Sequence, residues 1–245
     1  MVGAIDPRRS DHFVEIGPGL GALTEPLIAR LDHLHVVEID RDLSERLRAR
    51  YPAAQLTVHQ ADALEFDFAS LPAPLRMVGN LPYNISTPLL FRAAGVAARC
   101  VDLHFMLQRE VVDRMVAEPS ASEYGRLSVM LQYRFRMERL FDVPPRSFRP
   151  APKVHSAVVR LVPRPAEELD AASEAAFSQV VAQAFSMRRK TLKNTLANLF
   201  SGDELAEIGI DSGKRAQQLP VAAFVTIANR LSLVGTGPSR RPLAK

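Results

Sequence analysis

The sequence has few of the residues and segments that build cross-links, metal clusters or membrane spans. Its single cysteine, Cys100, excludes an internal disulfide and a cysteine-based zinc cluster. No apolar run approaches the roughly 20 residues of a transmembrane helix. The first residues, MVGAIDPRR, have no apolar stretch followed by a small-residue cleavage site, so we expect no secretory signal and a cytoplasmic protein. The closest pair of histidines, His33 and His35, has no third ligand near it, and we predict no metal site.

The composition that remains is that of an ordinary globular protein. Of its 245 residues, 47% are hydrophobic and 24% are charged. This length fits one large domain, or one domain with a small appendage, and nothing about it demands an obligate partner, so we expect a monomer. The net charge of +4 and the pI near 9.5 are compatible with a nucleic-acid partner without requiring one.

Short apolar runs alternate with helical stretches from about Asp11 to Leu107. This alternation predicts an α/β fold, in which helical crossovers cover both faces of a parallel sheet. The predicted strands are His12–Ile16, His35–Ile39, Leu56–Gln60, Leu75–Val78 and Leu103–Leu107. The predicted helices are Thr24–Arg30, Arg41–Arg50, a segment after Ser86, and Arg109–Val116.

The pattern changes in the second half of the chain. Strand-like residues Leu127–Phe141 and the strand Ser156–Val162 flank a proline-rich loop, Pro144–Pro152, which predicts an antiparallel hairpin at the sheet edge. After Pro163 and Pro165 only helical periodicity remains. We therefore predict an α/β domain over residues 1–163, a small all-helical domain over residues 164–245, and a disordered tail, Thr236–Lys245.

Three features at predicted strand ends indicate a nucleotide-like ligand. The stretch EIGPGLG, Glu15–Gly21, follows the first strand, and its glycines allow a tight turn and a close approach to the next helix. Glu38 ends the second strand, where an acid can bond both ribose hydroxyls, and Asp62 follows the third, where an acid can accept from an adenine amino group. The set favours an adenosine-containing ligand. The glycine loop by itself also fits a nicotinamide dehydrogenase.

The turn after the fourth strand, Asn80–Tyr83, belongs to the same predicted edge of the sheet. The side-chain oxygen of Asn80 and the backbone carbonyl of Leu81 are two acceptors, and Pro82 adds a carbonyl without an N–H group. Two acceptors aimed at one amino group suit a planar base amine that must attack a methyl group, a reaction that depends on positioning and electrostatics. Tyr83 can stack on the base. A dehydrogenase leaves this turn unexplained.

Several motifs, in order and at matching spacing, closely resemble the small-subunit ribosomal RNA adenine dimethyltransferases, or kasugamycin-resistance methylases. The likeness runs from about Phe13 to Leu231 and implies a Rossmann-like class I methyltransferase domain, S-adenosylmethionine as the cofactor, and dimethylation of two adjacent adenosines in a hairpin near the 3′ end of small-subunit rRNA. The motifs are EIGPGLG (Glu15–Gly21), NLPYNISTPLLF (Asn80–Phe91), MLQREVVDRM (Met106–Met115), YGRLSV (Tyr124–Val129) and FRPAPKVHSAVVRL (Phe148–Leu161).

The resemblance also assigns site residues. It implies that Glu38 holds the ribose, that Asp62 holds the cofactor adenine, and that Phe148 sandwiches a flipped target adenine against Tyr83. The predicted catalytic residues are Asn80, Leu81, Pro82, Tyr83 and Phe148. The predicted cofactor-binding residues are Glu15, Gly17, Gly19, Glu38, Asp62, Ala63 and Asn80.

A cationic stretch, Ser186–Phe200, is predicted to be a basic helix without a single acid. It falls in the helical domain, where the family grips rRNA, so we predict that its cations bind phosphates. The predicted RNA-binding residues are Arg188, Arg189, Lys190 and Lys193 in this stretch, with Arg109, Arg114 and Arg126 as further candidates.

One difference from the family, in the sequence before the first strand, leaves alternative functions open. Family members carry a Gly-Gln-Asn-Phe-Leu stretch before the first strand, as a lid over the cofactor, and no residues before Asp11 match it. A chain without this lid is expected to bind the cofactor more weakly and to turn over more slowly. The alternatives are a methylase of another amine, such as a large-subunit rRNA adenine or a glutamine side chain, and an assembly factor that binds pre-ribosomal RNA without methylating it.

Overall fold

The computed structural model describes residues 1–235 and divides the chain into two compact units. The predicted tail, Thr236–Lys245, lies outside the described residues. We call the units the sheet unit and the helical unit. The sheet unit comprises Met1–Val116 and Arg134–Pro165, and the helical unit comprises Ala117–Tyr133 and residues 166–235.

The sheet unit is built on seven strands. They are β1 (His12–Ile16), β2 (Leu34–Glu38), β3 (Leu56–Gln60), β4 (Leu75–Asn80), β5 (Cys100–Gln108), β6 (Phe135–Val143) and β7 (Ser156–Pro163). Their order is β3-β2-β1-β4-β5-β7-β6, with β1–β5 parallel and β7 antiparallel to both β5 and β6. The prediction of a mostly parallel sheet with an antiparallel edge hairpin is confirmed.

The central strands are apolar on both faces because helices cover the sheet on both sides. In β1, for example, Phe13, Val14 and Ile16 are all buried. The helices of this unit are α1 (Val2–Ile5), α2 (Thr24–Ile28), α3 (Arg41–Arg50), α4 (Ser86–Gly95) and α5 (Arg109–Val116). The carboxyl ends of β1–β5 meet at one edge of the sheet, the carboxyl rim, where open α/β sheets bind ligands.

At the opposite edge, the amino rim, one buried arginine is fully hydrogen-bonded. Arg76 donates from Nε and Nη2 to the carboxylate of Asp102, at 2.7 and 2.9 Å. Its Nη1 donates to Asp11 and to the carbonyl of Asp6, and its Nη2 also donates to the carbonyl of Ile5. All five N–H groups of the guanidinium therefore have partners.

A buried histidine near this arginine differs from it in hydrogen bonding. His104 in β5 is 1% exposed, and among the described residues neither of its ring nitrogens has a hydrogen-bond partner. Burial lowers the pKa of the imidazole to about 4, so the ring is neutral at pH 7. Arg76, Asp102 and His104 line a cavity of about 430 Å³.

The helical unit has its own hydrophobic core, formed by residues such as Phe177, Val181, Leu196 and Phe224. Serine side chains cap two of its helices, and Ser201 forms a reciprocal capping box. The helices are α6 (Arg126–Arg134), α7 (Glu174–Ala184), α8 (Leu192–Thr195), α9 (Gly202–Glu207) and α10 (Val221–Gly235). Within residues 1–235, no helix combines the length and apolar character that crossing a membrane requires.

Two secondary-structure predictions for this region are wrong. Residues 127–134, the first half of the predicted strand Leu127–Phe141, are helical in α6, and Tyr124, Val129 and Tyr133 join the core of the helical unit. The segment Ala117–Tyr133 therefore belongs to this unit, although the predicted boundary placed it in the α/β domain. Of the predicted basic helix, Ser186–Phe200, the residues Leu192–Thr195 are helical, in α8. Residues 191–193 form backbone hydrogen bonds with the segment 212–215 in place of longer helical pairing.

Candidate active site

The glycine loop lies at the carboxyl rim, directly after β1. Gly17 and Gly19 have φ angles of +63° and +55°, a region in which a side chain would be strained. The N–H of Gly17 donates to the carbonyl of Val37 in β2 at 3.0 Å. The loop is therefore fixed to the neighbouring strand and presents its backbone at the rim.

Glu38 ends β2 and is 6% exposed. Its two carboxylate oxygens accept from the backbone N–H groups of Gly19, at 3.2 Å, and Asp40, at 3.0 Å. A carboxylate can accept about four hydrogen bonds, so the group is oriented and still has capacity for two hydroxyls. This arrangement fits a ribose diol.

Glu15, in β1, is a second buried acid, with 2% exposure. It accepts a 2.7 Å hydrogen bond from the hydroxyl of Thr24. Burial raises the pKa of its carboxyl to about 7, the hydrogen bond from Thr24 opposes the shift, and the negative charge of Glu38 adds to it. Two acids held out of water at neighbouring strand ends favour a cationic ligand.

Asp62 and Ala63 form the turn after β3. The Asp62 carboxylate accepts from the N–H of Leu64 at 2.8 Å, and Ala63 is buried. The N–H of Ala61 donates to the backbone carbonyl of Glu38 at 3.0 Å. The β3 turn is thus tied to the end of β2, as the predicted adenosine site requires.

The turn Asn80–Tyr83 begins where β4 ends, next to the glycine loop. The N–H of Leu81 donates to the carbonyl of Met106 in β5 at 3.1 Å. A Cβ atom placed on Gly17 would lie 3.9 Å from Cδ of Pro82. A Cβ atom on Gly79 would lie 2.6 Å from the carbonyl oxygen of Ile16, so β1 and β4 approach too closely there for any side chain.

The two predicted acceptors of this turn are open. The side chain of Asn80 is exposed. Within the described residues, neither its amide group nor the carbonyl oxygen of Leu81 takes part in a hydrogen bond. Both oxygens are available to an external donor.

Tyr83 and Phe148 are both partly exposed residues of the sheet unit. The hydroxyl of Tyr83 lies 3.0 Å from Oγ of Ser156 at the start of β7. Phe148 lies in the loop between β6 and β7, and its N–H donates to the carbonyl of Pro145 at 3.1 Å. The register of β7 with β5 and β6 brings this loop to the carboxyl rim. Among residues 1–235, no ring contact joins Phe148 to Tyr83.

An exposed isoleucine, which the sequence pattern does not predict, lies at the carboxyl rim. Ile39 follows Glu38 directly and is 66% exposed, whereas the sequence pattern assigned it to the end of the second strand. A large apolar side chain beside the acid that is predicted to bind a ribose offers a surface for a planar base. Its signal in the sequence was an apolar residue placed between two acids, Glu38 and Asp40.

The cations of the predicted basic helix are exposed in the helical unit. Arg188, Arg189 and Lys190 lie in the turn before α8, and Lys193 lies within α8. The guanidinium of Arg188 donates to the carbonyl of Ser122 at 2.7 Å. This bond ties the cationic turn to the segment before α6, which begins at the exposed Arg126.

Backbone pairing adds two cations that the sequence analysis did not include. Thr191 forms an antiparallel bridge with Arg215, and the N–H of Leu192 donates to the carbonyl of Lys214 at 2.8 Å. Lys214 and Arg215 are exposed. Cations more than 20 residues apart in the sequence are therefore brought together in the helical unit by backbone pairing.

The two remaining predicted RNA-binding arginines lie in α5 of the sheet unit. Arg109 approaches Asp113 at 3.6 Å and Asp142 at 4.0 Å. Arg139 also forms ion pairs with both of these acids. The charge of Arg109 is therefore balanced locally, and its role in RNA binding stays a prediction. Arg114 is exposed in the same helix.

Histidines of the neighbouring strands β2 and β3 lie close together. Nδ1 of His35 lies 3.1 Å from Nε2 of His59. The ring of His33 bonds to the carbonyl of Ala54 and to the hydroxyl of Thr57. In the described part of the chain, no group of three or more histidine, cysteine or acidic side chains is arranged to hold a metal ion.

Comparison with known proteins identifies the family. The model of the ribosomal RNA adenine dimethylase family matches residues 1–233. The ribosomal RNA small subunit methyltransferase A of Aromatoleum aromaticum is 61% identical over 232 residues, which cover 95% of this chain and 88% of that protein. The crystal structure of a dimethyladenosine transferase from Plasmodium falciparum has a TM-score of 0.82 at 24% identity, covering 96% of this chain and 94% of that one. That of the 23S rRNA methyltransferase ErmE has a TM-score of 0.69 at 26% identity, covering 94% and 95%. The resemblance found in the sequence motifs is confirmed, and the chain belongs to the ribosomal RNA adenine dimethylase family.

Proposed function

We propose that this chain uses S-adenosylmethionine to dimethylate two adjacent adenosines in a hairpin near the 3′ end of small-subunit rRNA during ribosome assembly. The observation that carries the proposal is the Asn80–Tyr83 turn. It lies against the glycine loop at the carboxyl rim, and the oxygens of Asn80 and Leu81 accept no hydrogen bond from the part of the chain that the structure describes. The relative named ribosomal RNA small subunit methyltransferase A supports the choice of the small subunit.

The acids at the rim would hold the cofactor. Glu38 has capacity for the two ribose hydroxyls, Asp62 would accept from the adenine amino group, and Ile39 would contact the adenine face. When bound, S-adenosylmethionine supplies a methyl group attached to a positively charged sulfur. Glu15 and Glu38 place negative charge at the strand ends, which favours such a cation.

The turn would hold the target amine. The side-chain oxygen of Asn80 and the carbonyl of Leu81 accept its two hydrogens, which opposes delocalisation of the nitrogen lone pair into the ring. Tyr83 and Phe148 offer aromatic faces for the extruded base. These residues position and polarise the amine, and the arrangement requires no strong base.

The exposed cations of the helical unit would bind the RNA backbone. Phosphate contacts release counterions, so the affinity for RNA is expected to fall steeply with salt concentration. In this proposal the helical unit supplies salt-dependent affinity for RNA, and the carboxyl rim carries out methyl transfer.

The decisive experiment measures methyl transfer from tritiated S-adenosylmethionine to small subunits whose target adenosines are unmethylated. Mass spectrometry of the digested RNA identifies dimethyladenosine and its position. We expect Asn80→Ala to lower the single-turnover rate by about 100-fold or more, the scale of losing one positioned polar group in an active site. The matched control is Asn84→Ala, which removes an exposed amide four residues away in the same turn region and should leave the rate unchanged.

Other outcomes lead to different conclusions. Transfer only to large-subunit rRNA would favour the second candidate function, which the 26% identity to a 23S rRNA methyltransferase supports. Binding of small subunits without methyl transfer would favour an assembly factor. Full activity of Asn80→Ala would refute the proposed role of the turn.

A further inference from the structure

Two buried serines hold Tyr83, one at each end of the residue. The hydroxyl of Ser86 donates to the backbone carbonyl of Tyr83 at 3.1 Å. The phenol oxygen of Tyr83 lies 3.0 Å from Oγ of Ser156. Ser86 is 3% exposed and Ser156 is fully buried. The backbone and the tip of the ring therefore have separate anchors.

The anchor at the tip of the ring belongs to the rigid part of the sheet. Ser156 begins β7 and is in register with Gln108 of β5 and Val143 of β6. Its backbone is thus fixed by a strand on either side. Tyr83, by contrast, lies in an irregular turn between β4 and α4. The hydrogen bond therefore connects the tip of the Tyr83 side chain, which lies outside the sheet, to a backbone position that is fixed within the sheet.

We infer that Ser156 is a positioning residue that fixes the tip of the Tyr83 ring, and with it the tilt of the ring. The inference rests on the proposed function, in which this ring receives the target adenine. The Ser156 hydroxyl adds nothing to the stacking area, but it holds the phenol oxygen, and so the far end of the ring, in one position. A ring whose tip can swing keeps its affinity for the base and loses alignment with the acceptors of Asn80 and Leu81. Misalignment of this kind slows the chemical step more than it weakens binding.

A double-mutant cycle tests the inference. The variants Ser156→Ala, Tyr83→Phe and their combination are compared in single-turnover methylation with saturating cofactor and small subunits. Because both single substitutions remove the same hydrogen bond, each should slow the reaction by roughly two- to tenfold, the range of one net hydrogen bond. The double variant should be no slower than the slower single variant. Affinities for S-adenosylmethionine and for small subunits should stay within about twofold of wild type.

The control is Ser128→Ala in the helical unit. Ser128 is also fully buried and accepts a backbone hydrogen bond, from Gly125 at 3.0 Å, so it matches the loss of a buried hydroxyl away from Tyr83. Its rate should equal that of wild type. If Ser156→Ala fails to fold, as judged by circular dichroism, Tyr83→Phe still tests the same bond.

Tyr83→Ala separates failure of the inference from failure of the proposed function. If Tyr83→Ala keeps the wild-type rate, the proposed role of the ring is wrong. The positioning role alone is overturned if Tyr83→Ala is inactive while Tyr83→Phe is as fast as wild type. It is equally overturned if the losses from Ser156→Ala and Tyr83→Phe multiply in the double variant.

Discussion

Replacing Glu15 with glutamine should make the protein more stable at alkaline pH and a poorer binder of its cofactor. Glu15 is 2% exposed and has a hydroxyl partner in Thr24. The carbonyl of a glutamine can accept the same hydrogen bond, so the substitution removes the charge and preserves the shape. In the proposed function this charge helps to hold a cationic cofactor, which explains why a destabilising group would be kept.

The size of the effect follows from the pKa. Burial raises the pKa of Glu15 from 4.5 to about 7, a difference of about 2.5 units, or about 3 kcal/mol at roughly 1.4 kcal/mol per unit. Between these two pH values the folded chain holds a proton that the unfolded chain has lost, so the free energy of unfolding falls as pH rises from 4.5 to 7. Above pH 7 the penalty is complete, and below 4.5 it is absent.

The assay is urea unfolding of wild type and Glu15→Gln at pH 5, 6, 7 and 8. The free energy of unfolding of the variant should exceed that of wild type by an amount that grows with pH and levels off near 3 kcal/mol. Glu25→Gln, at an exposed acid of α2, is the control and should follow wild type within about 0.5 kcal/mol. Parallel curves for wild type and Glu15→Gln would refute the reasoning. Calorimetric titration with S-adenosylmethionine should show weaker binding by Glu15→Gln.

Three further substitutions test the rest of the sheet unit. Arg76→Met leaves the buried carboxylate of Asp102 without its main partner and should cost about 3–5 kcal/mol in urea unfolding; an unchanged midpoint would contradict this. Burial lowers the pKa of His104 to about 4, so this side chain costs stability as pH falls from 6.5 to 4, and the Tm of His104→Leu relative to that of wild type should be higher at pH 4.5 than at pH 7; an equal difference at the two pH values would contradict this. Gly79→Ala forces a Cβ atom to within 2.6 Å of the carbonyl of Ile16 and should lower the free energy of unfolding by about 1–3 kcal/mol, whereas wild-type stability would show that β1 and β4 can separate.

The first half of the fold could be predicted because its signals are local. Apolar residues dominate β1, β2 and β4 and recur in β3 and β5, and each strand ends in residues that break the pattern. The prediction failed at Leu127–Tyr133, where Leu127, Val129, Leu131 and Tyr133 alternate with other residues as in a strand. All four are buried, yet the segment is helical, because tertiary packing overrides a two-residue period over so short a length.

The rim residues were predicted because their positions follow from strand ends, whereas the arrangement of the cations did not follow from local sequence. The predicted basic helix has good helix formers, but backbone bonds from residues 191–193 to residues 212–215 limit helical structure to Leu192–Thr195. A pairing across 20 residues leaves no periodic signal. For the same reason Lys214 and Arg215 were not recognised, and neither was the bond between Tyr83 and Ser156.

The amino rim and the carboxyl rim of the sheet differ in how much of their hydrogen-bonding capacity is already used. Every donor of Arg76 is satisfied at the amino rim, whereas at the carboxyl rim the oxygens of Asn80 and Leu81 accept no hydrogen bond from residues 1–235. A deep mutational scan scored once for protein abundance and once for methyl transfer should therefore yield two maps. Protein abundance would depend on the amino rim around Arg76. Methyl transfer at normal abundance would depend on the carboxyl rim around Asn80.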